Sequence, residues 1–280
     1  MAHTLLISPE QLRDLLRHDP PPVVIDTGFD LADHAAGERD YRTGHVPGAC
    51  YLHLERDLSA PKTGTNGRHP LPSREEFAAT LSRLGIGPDT QVVVYDRQQG
   101  MVAARAWWML RWLGHAAVAV LDGGVAAWRA AGGPLESPLP TPRPASPCPL
   151  REPAVRTIDA AGVAAGLGRL RLVDARAPER FRGDVEPLDA QAGHIPGALN
   201  RFFKDNLGAD GRFKPAAQLR AELGPLAGTE PDQVVHQCGS GVTACHNLLA
   251  MEVAGLGTGT LYPGSWSEWS ADPARPVAKG

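Results

Sequence analysis

The sequence has no apolar run approaching the roughly 20 residues that a membrane-crossing helix requires, which argues against a helical membrane span. It also lacks an excess of charge. The formal net charge of -3 at pH 7 over 280 residues leaves no footprint for nucleic acid or a membrane surface. Cysteine is scarce. Cys50, Cys148, Cys238 and Cys245 are too few and too scattered for a disulfide scaffold, and none stands in the paired C-x-x-C spacing of a structural zinc site. The opening stretch, MAHTLLISPEQLRDLL, lacks the basic-then-apolar layout of a secretory leader, and it contains acids that a transit peptide avoids. The expectation is a reducing, cytoplasmic setting in which a thiol stays available.

Proline is abundant, and unevenly so. In residues 134–153, PLESPLPTPRPASPCPLREP, eight of twenty residues are proline. That composition forbids helix and sheet interiors and favours an extended, semi-stiff connector. It divides the chain into an expected N-terminal domain, 1–135, a linker, 136–153, and a C-terminal domain, 154–280.

The two halves match each other at four landmarks in the same order. VVIDT (23–27) pairs with RLVDAR (171–176), each closing an apolar run near an aspartate, Asp26 or Asp174. TGHVPGA (43–49) pairs with AGHIPGA (192–198), Gly100 with Gly241, and GGVAAW (123–128) with GSWSEW (264–269). A period of this length is too long for a solenoid, so it marks a duplicated domain. Within the first half, Ser8-Pro9 opens a helix and Ser73-x-x-Glu76 forms a capping box before another, with Gly85 as its stop. Short apolar runs at VVID, QVVVYD and AAVAVL alternate with these helices. The pattern predicts α/β domains, each a parallel sheet with helices on both faces. Ligands of such sheets sit beyond the carboxyl ends of strands.

Cys238 falls at such an end. It follows the run VVHQ and opens the stretch CGSGVTAC (238–245), which leads into a helical pattern. Unpaired amides at a helix start, with glycines able to turn successive N–H groups toward one centre, favour an anion. A sulfur held there is favoured as thiolate or persulfide. A cysteine loop at a helix start also suits a phosphatase, but that chemistry needs an arginine closing C-x5-R, and Ala244 stands at the closing position. Cys245, two helical turns along, is read as a core-facing residue.

With GHVPGA and GHIPGA, YDRQQGMVAARAWWMLRWLGH, LDGGVAAW, FRG, CGSGVTACH and GSWSEW in order, nearly the whole chain resembles the tandem-domain rhodanese family of sulfurtransferases. The resemblance implies an active C-terminal domain and an N-terminal one without a nucleophile, since Asp96 stands where the second half has Cys238. It implies that the N-terminal half covers the active site and contributes to the substrate pocket. Cys238 becomes the nucleophile that carries sulfur as a persulfide, and Gly239, Ser240, Gly241, Val242, Thr243 and Ala244 become its cradle. No metal or organic cofactor is implied. The partners implied are a small anionic sulfur donor and an acceptor, cyanide or a thiol, including that of a thioredoxin-like protein; nucleic acid and membrane are not among them.

The donor follows from the loop. Thiosulfate-preferring members resemble CRKGVT, whereas members preferring 3-mercaptopyruvate resemble CGSGVT, as here. Arg180 in ERFRG matches an arginine that holds the anionic substrate, and Arg182 is either a second such residue or part of an ion pair. Leu188 stands where mercaptopyruvate enzymes carry a further carboxylate-binding arginine, and leucine cannot pair with a carboxylate. By the same resemblance Ser240, His69 and Glu55 form a proton relay, with Asp57 a nearby alternative for the acid; for His69 a structural role is equally open. His45 and His194, recurring in both halves, are read as turn-fixing residues, and Asp26 and Asp174 as loop organisers. Three functions stay open here: mercaptopyruvate sulfurtransferase, which is favoured, thiosulfate sulfurtransferase, and a non-catalytic sulfur-carrier or binding module.

Overall fold

A computed structural model of the chain describes residues 2–141, 143–228 and 233–280. They form two compact units: Met1–Ala60 with Pro72–Ala154 and Ala209–Arg212, and Pro61–Leu71 with Val155–Gly208 and Phe213–Gly280. Each unit therefore includes a short segment from the other half of the sequence. The segment 61–71, which carries His69, belongs to the second unit.

In the first unit the elements run β1 (Leu6–Ile7), α1 (Pro9–Leu15), β2 (Val23–Asp26), α2 (Ala36–Thr43), β3 (Cys50–Tyr51), α3 (Arg74–Arg83), β4 (Val92–Tyr95), α4 (Ala103–Trp112), β5 (Val118–Leu121) and α5 (Gly124–Ala130). The strands make one parallel sheet in the order β1-β5-β4-β2-β3. The second unit repeats the plan: β6 (Arg156–Thr157), α6 (Ala160–Ala165), β7 (Arg171–Asp174), α7 (Pro178–Arg182), β8 (Leu199–Asn200), a 3-10 turn at Phe203–Asn206, α8 (Ala216–Ala227), β9 (Val234–Gln237), α9 (Ala244–Val253), β10 (Thr260–Leu261) and α10 (Ser265–Trp269). Its sheet has the matching order β6-β10-β9-β7-β8, again parallel throughout.

Local chemistry sets the boundaries. Ser8 and Ser73 each accept from the third helical amide while Gln11 or Glu76 reaches back, so both helices begin with complete capping boxes. The central strands are buried along their whole length, as β-branched runs in a sheet covered on both faces must be. Matched residues also make matched contacts. Trp128 Nε1 donates to the Pro134 carbonyl at 2.7 Å and Trp269 Nε1 to the Pro276 carbonyl at 2.9 Å. His45 and His194 each pair through Nδ1 with a carbonyl, of Tyr41 or Phe181, at 2.8 Å, and each stacks on that same aromatic ring. Both histidines thus fix their turns, as their recurrence in both halves implies.

The proline-rich connector is pinned along the first unit. Glu136 exchanges backbone hydrogen bonds with His45 at 2.9 Å, Cys148 N donates to Ser82 Oγ at 3.0 Å, and Arg151 N to the Leu113 carbonyl at 3.0 Å. Among the described residues, no helix is long and apolar enough to cross a membrane.

Candidate active site

The strand β9 lies in the middle of its sheet, and its carboxyl end delivers Cys238 into the turn that starts α9. The side chain is almost fully buried, 1% exposed. The turn is clamped from behind by the segment that opens α10: Cys238 N donates to Ser265 Oγ at 3.1 Å, and the Cys238 and Gly239 carbonyls accept from Trp266 N and Ser267 N at 2.9 Å. Ser265 takes a left-handed conformation, φ 54°, unusual for a residue with a side chain. At Gly241 the requirement for glycine is strict. Its φ is +75°, and a Cβ there would overlap the carbonyl oxygen of Pro263. Val242 and Ala244 are buried, and Thr243 occupies the N-cap of α9.

The equivalent turn of the first unit displays what such a backbone holds. Asp96 follows the central strand β4 and is fully buried. Its carboxylate accepts from the backbone amides of Gln98 at 2.9 Å, Gly100 at 2.8 Å, Val102 at 2.8 Å and Ala103 at 3.0 Å. Four amides of a strand-to-helix turn converge on one anion. The sequence places Cys238 at the corresponding point of the second unit.

Ser240 and His69 are brought together. Ser240 Oγ lies 2.8 Å from His69 Nδ1, and both side chains are buried. The segment holding His69 is anchored within the second unit, since Arg68 N donates to the Ser267 hydroxyl Oγ at 3.0 Å. Glu55 belongs to the first unit, where its carboxylate pairs with His34 Nδ1 at 2.9 Å. Asp57 accepts there from His53 N at 2.8 Å and closes its own turn.

Around Gly239 the second unit holds a chain of alternating charges. Asp174 pairs with Arg176 at 2.7 Å, and Arg176 reaches Glu186 at 3.3 Å. Glu186 also accepts from Arg180 at 2.6 Å, and Arg180 donates to Asp189 at 3.0 Å. Asp189 finally binds Arg68. Burial pushes the Asp189 carboxyl up, against the opposing pull of Arg68. The guanidinium of Arg176 also lies 4.8 Å above the ring of Trp266, which is fully buried behind the turn. Asp174 and Asp26 organise their loops through the amides of Arg176 and Gly28 and through their arginines.

A Cβ on Gly239 would meet Arg68 Nη2 at 2.8 Å and Arg180 Nη1 at 3.5 Å. Arg180 is thus placed beside the turn, as is Arg68, which the sequence does not single out. Its only signal there is adjacency to His69 in GRHPLP. Arg182 makes an exposed ion pair with Asp184 at 2.7 Å, and Leu188 is exposed.

Two further buried groups flank the turn. Cys245 Sγ donates to the Gly241 carbonyl at 3.4 Å from within α9 and is fully buried, in keeping with a core position. His236 lies in β9 with neither ring nitrogen hydrogen-bonded, and burial pushes its pKa down to about 4.

Comparison with known proteins matches this architecture. The model of the rhodanese-like domain fits residues 8–131 and again 159–272. The chain is 50% identical over 285 residues to a protein named "Probable 3-mercaptopyruvate sulfurtransferase" in Pseudomonas aeruginosa, covering 100% of both chains. It is 34% identical over 295 residues to a thiosulfate sulfurtransferase of Mus musculus, covering 100% of this chain and 97% of that one. The crystal structure of SseA from Escherichia coli, described among the 3-mercaptopyruvate sulfotransferases, superposes with a TM-score of 0.81 at 31% identity, over 95% of this chain and 100% of that one.

Proposed function

The chain belongs to the rhodanese family, and on that premise we propose that Cys238 carries sulfur, as a persulfide, from 3-mercaptopyruvate to cyanide or a thiol. It is a sulfurtransferase. Transfer in two halves through one covalent intermediate replaces a single hard displacement by two easier ones. In the first, the Cys238 thiolate attacks the donor sulfur, the S–S bond forms, and the C–S bond breaks with its electron pair passing to the pyruvate enolate. The proton lost from the transferred sulfur and the proton gained by the enolate carbon balance, leaving an enzyme persulfide anion and pyruvate. In the second half, cyanide or a thiolate attacks the outer sulfur and Cys238 leaves as thiolate. A thiol of a thioredoxin-like protein is one such acceptor, and a reducing compartment such as the cytoplasm suits the thiol chemistry.

The observation that carries the donor preference is the 2.8 Å contact between Ser240 and His69 beside the nucleophile. Thiosulfate leaves as sulfite and needs no proton at carbon, whereas an enolate leaving group does. The hydroxyl–imidazole pair in the turn can move that proton. Gly239, Ser240, Gly241, Val242, Thr243 and Ala244 surround the persulfide with amides, by analogy with the amides around Asp96. Arg180 attracts the donor's carboxylate.

The test is sulfur loading followed by intact mass. Incubation with 3-mercaptopyruvate should add one sulfur atom to the wild-type chain and to Cys245→Ser, and none to Cys238→Ser. Steady-state rates with cyanide should favour 3-mercaptopyruvate over thiosulfate. A large preference for thiosulfate overturns the donor assignment, and loading of Cys238→Ser overturns the nucleophile.

A further inference from the structure

Asp189 bridges two guanidinium groups. One carboxylate oxygen accepts from Arg180 at 3.0 Å and the other from Arg68. Both arginines converge on Gly239, the residue directly after Cys238, to within 2.8 and 3.5 Å of where a Cβ would stand. Gly239, having no side chain, lets both come that close. The arginine side chains are 18% and 22% exposed, whereas Asp189 beneath them is 2% exposed. The two arginines therefore keep some exposure, and the carboxylate that holds them has almost none.

The charges along this chain are balanced internally. Arg176 is taken up by Asp174 and Glu186, and Glu186 shares Arg180 with Asp189. Arg68 is the terminal cation, with Asp189 as its ion-pair partner. Its backbone is fixed independently of its charge. Arg68 N is hydrogen-bonded to Ser267, and Gly67, at φ +83°, packs where a Cβ would lie 2.8 Å from the Gly264 carbonyl. Leu188, next to Asp189, offers no charge at all.

We infer that Arg68 is a specificity-determining residue that completes, with Arg180, a two-arginine clamp for the carboxylate of a 2-oxo-acid thiol donor, and that Asp189 holds the clamp open for it. Asp189 presents to the arginines the same group that the donor brings. It keeps the two forks pre-aligned for a planar carboxylate. The donor's carboxylate then meets guanidiniums that share their positive charge with Asp189, so Asp189 also weakens donor binding. Removing the arginine and removing the aspartate should act in opposite directions. A merely structural Arg68–Asp189 ion pair would make both substitutions act in the same direction.

This inference rests on the donor proposed above, and its test has a part that does not need turnover. Pyruvate, which carries the same 2-oxo-carboxylate without the sulfur, serves as the probe, with binding to the wild-type chain read by calorimetry and by competitive inhibition. Arg68→Gln should raise the KM for 3-mercaptopyruvate and the Kd for pyruvate roughly ten- to a hundredfold, as expected for a lost charge-assisted hydrogen bond. The fall in kcat should be much smaller, and Arg68→Lys should recover part of the binding. Asp189→Asn, which keeps the shape and removes the charge, should tighten pyruvate binding. Unchanged pyruvate binding in Arg68→Gln, or weaker binding in both Arg68→Gln and Asp189→Asn, overturns the clamp. If wild type binds pyruvate in this Arg68-dependent way but is loaded only by thiosulfate, the donor assignment fails and the clamp stands.

Discussion

His69 Nδ1 lies 2.8 Å from Ser240 Oγ, although the two residues are 171 positions apart in the chain. Both are buried, so the contact is not screened by bulk water. If the pair moves the proton that the leaving enolate needs, its members act as one unit. Ser240→Ala and His69→Gln should each lower kcat with 3-mercaptopyruvate by roughly a hundred- to ten-thousandfold. The double variant should be little worse than either single one. With thiosulfate as donor both losses should be much smaller, and steady-state kinetics on the two donors decide the matter.

Gly241 cannot accept a side chain. At φ +75° a Cβ is strained and would also meet the backbone of Pro263. Gly241→Ala should cost about 2–4 kcal/mol of stability and should slow persulfide formation because the turn must move. Chemical denaturation and the sulfur-loading rate measure the two effects separately.

Asp96 holds four backbone amides at 2.8–3.0 Å. Asp96→Ala leaves those amides without their acceptor, and the expected loss is about 3–5 kcal/mol in the first unit. Hydrogen exchange of the amides between Gln98 and Ala103 should rise first, ahead of exchange in the second unit. Uniform loss of protection across both units would contradict this account.

His236 gives the stability a pH dependence. Its folded pKa of about 4 lies below the ordinary value of 6.5 because burial disfavours the charged ring. The unfolded chain therefore binds more protons between these values, and stability falls as pH drops from about 6.5 toward 4. The contribution is fully present above pH 6.5 and amounts to roughly 3 kcal/mol. Denaturation midpoints measured from pH 8 to pH 4 should show that loss, and His236→Leu should flatten it.

The duplicated α/β plan was legible because its signals are local. Capping serines, β-branched runs and the paired GH[VI]PGA turns each specify structure within a few residues. The position of Cys238 in the fold was legible for the same reason, since strand end, glycine and helix start adjoin it in sequence. Arg68 was not, because its proximity to Gly239 depends on the path of residues 61–71, which belong to the second unit although they precede it by most of a domain. Arg182 shows the converse. It sits two residues from Arg180 in sequence, yet its guanidinium pairs with Asp184 in the open. On the five-residue helix α7, two residues of separation turn side chains to different faces.

The carboxyl group held by the turn after β4 is a fixture, since Asp96 is part of the chain. If Cys238 carries sulfur as proposed, the occupant of the second turn comes and goes with each turnover. One turn is therefore always occupied, and the other would fill and empty like a cell. Because binding that favours the folded state raises stability, the melting of the second unit should serve as a gauge of the sulfur it is carrying.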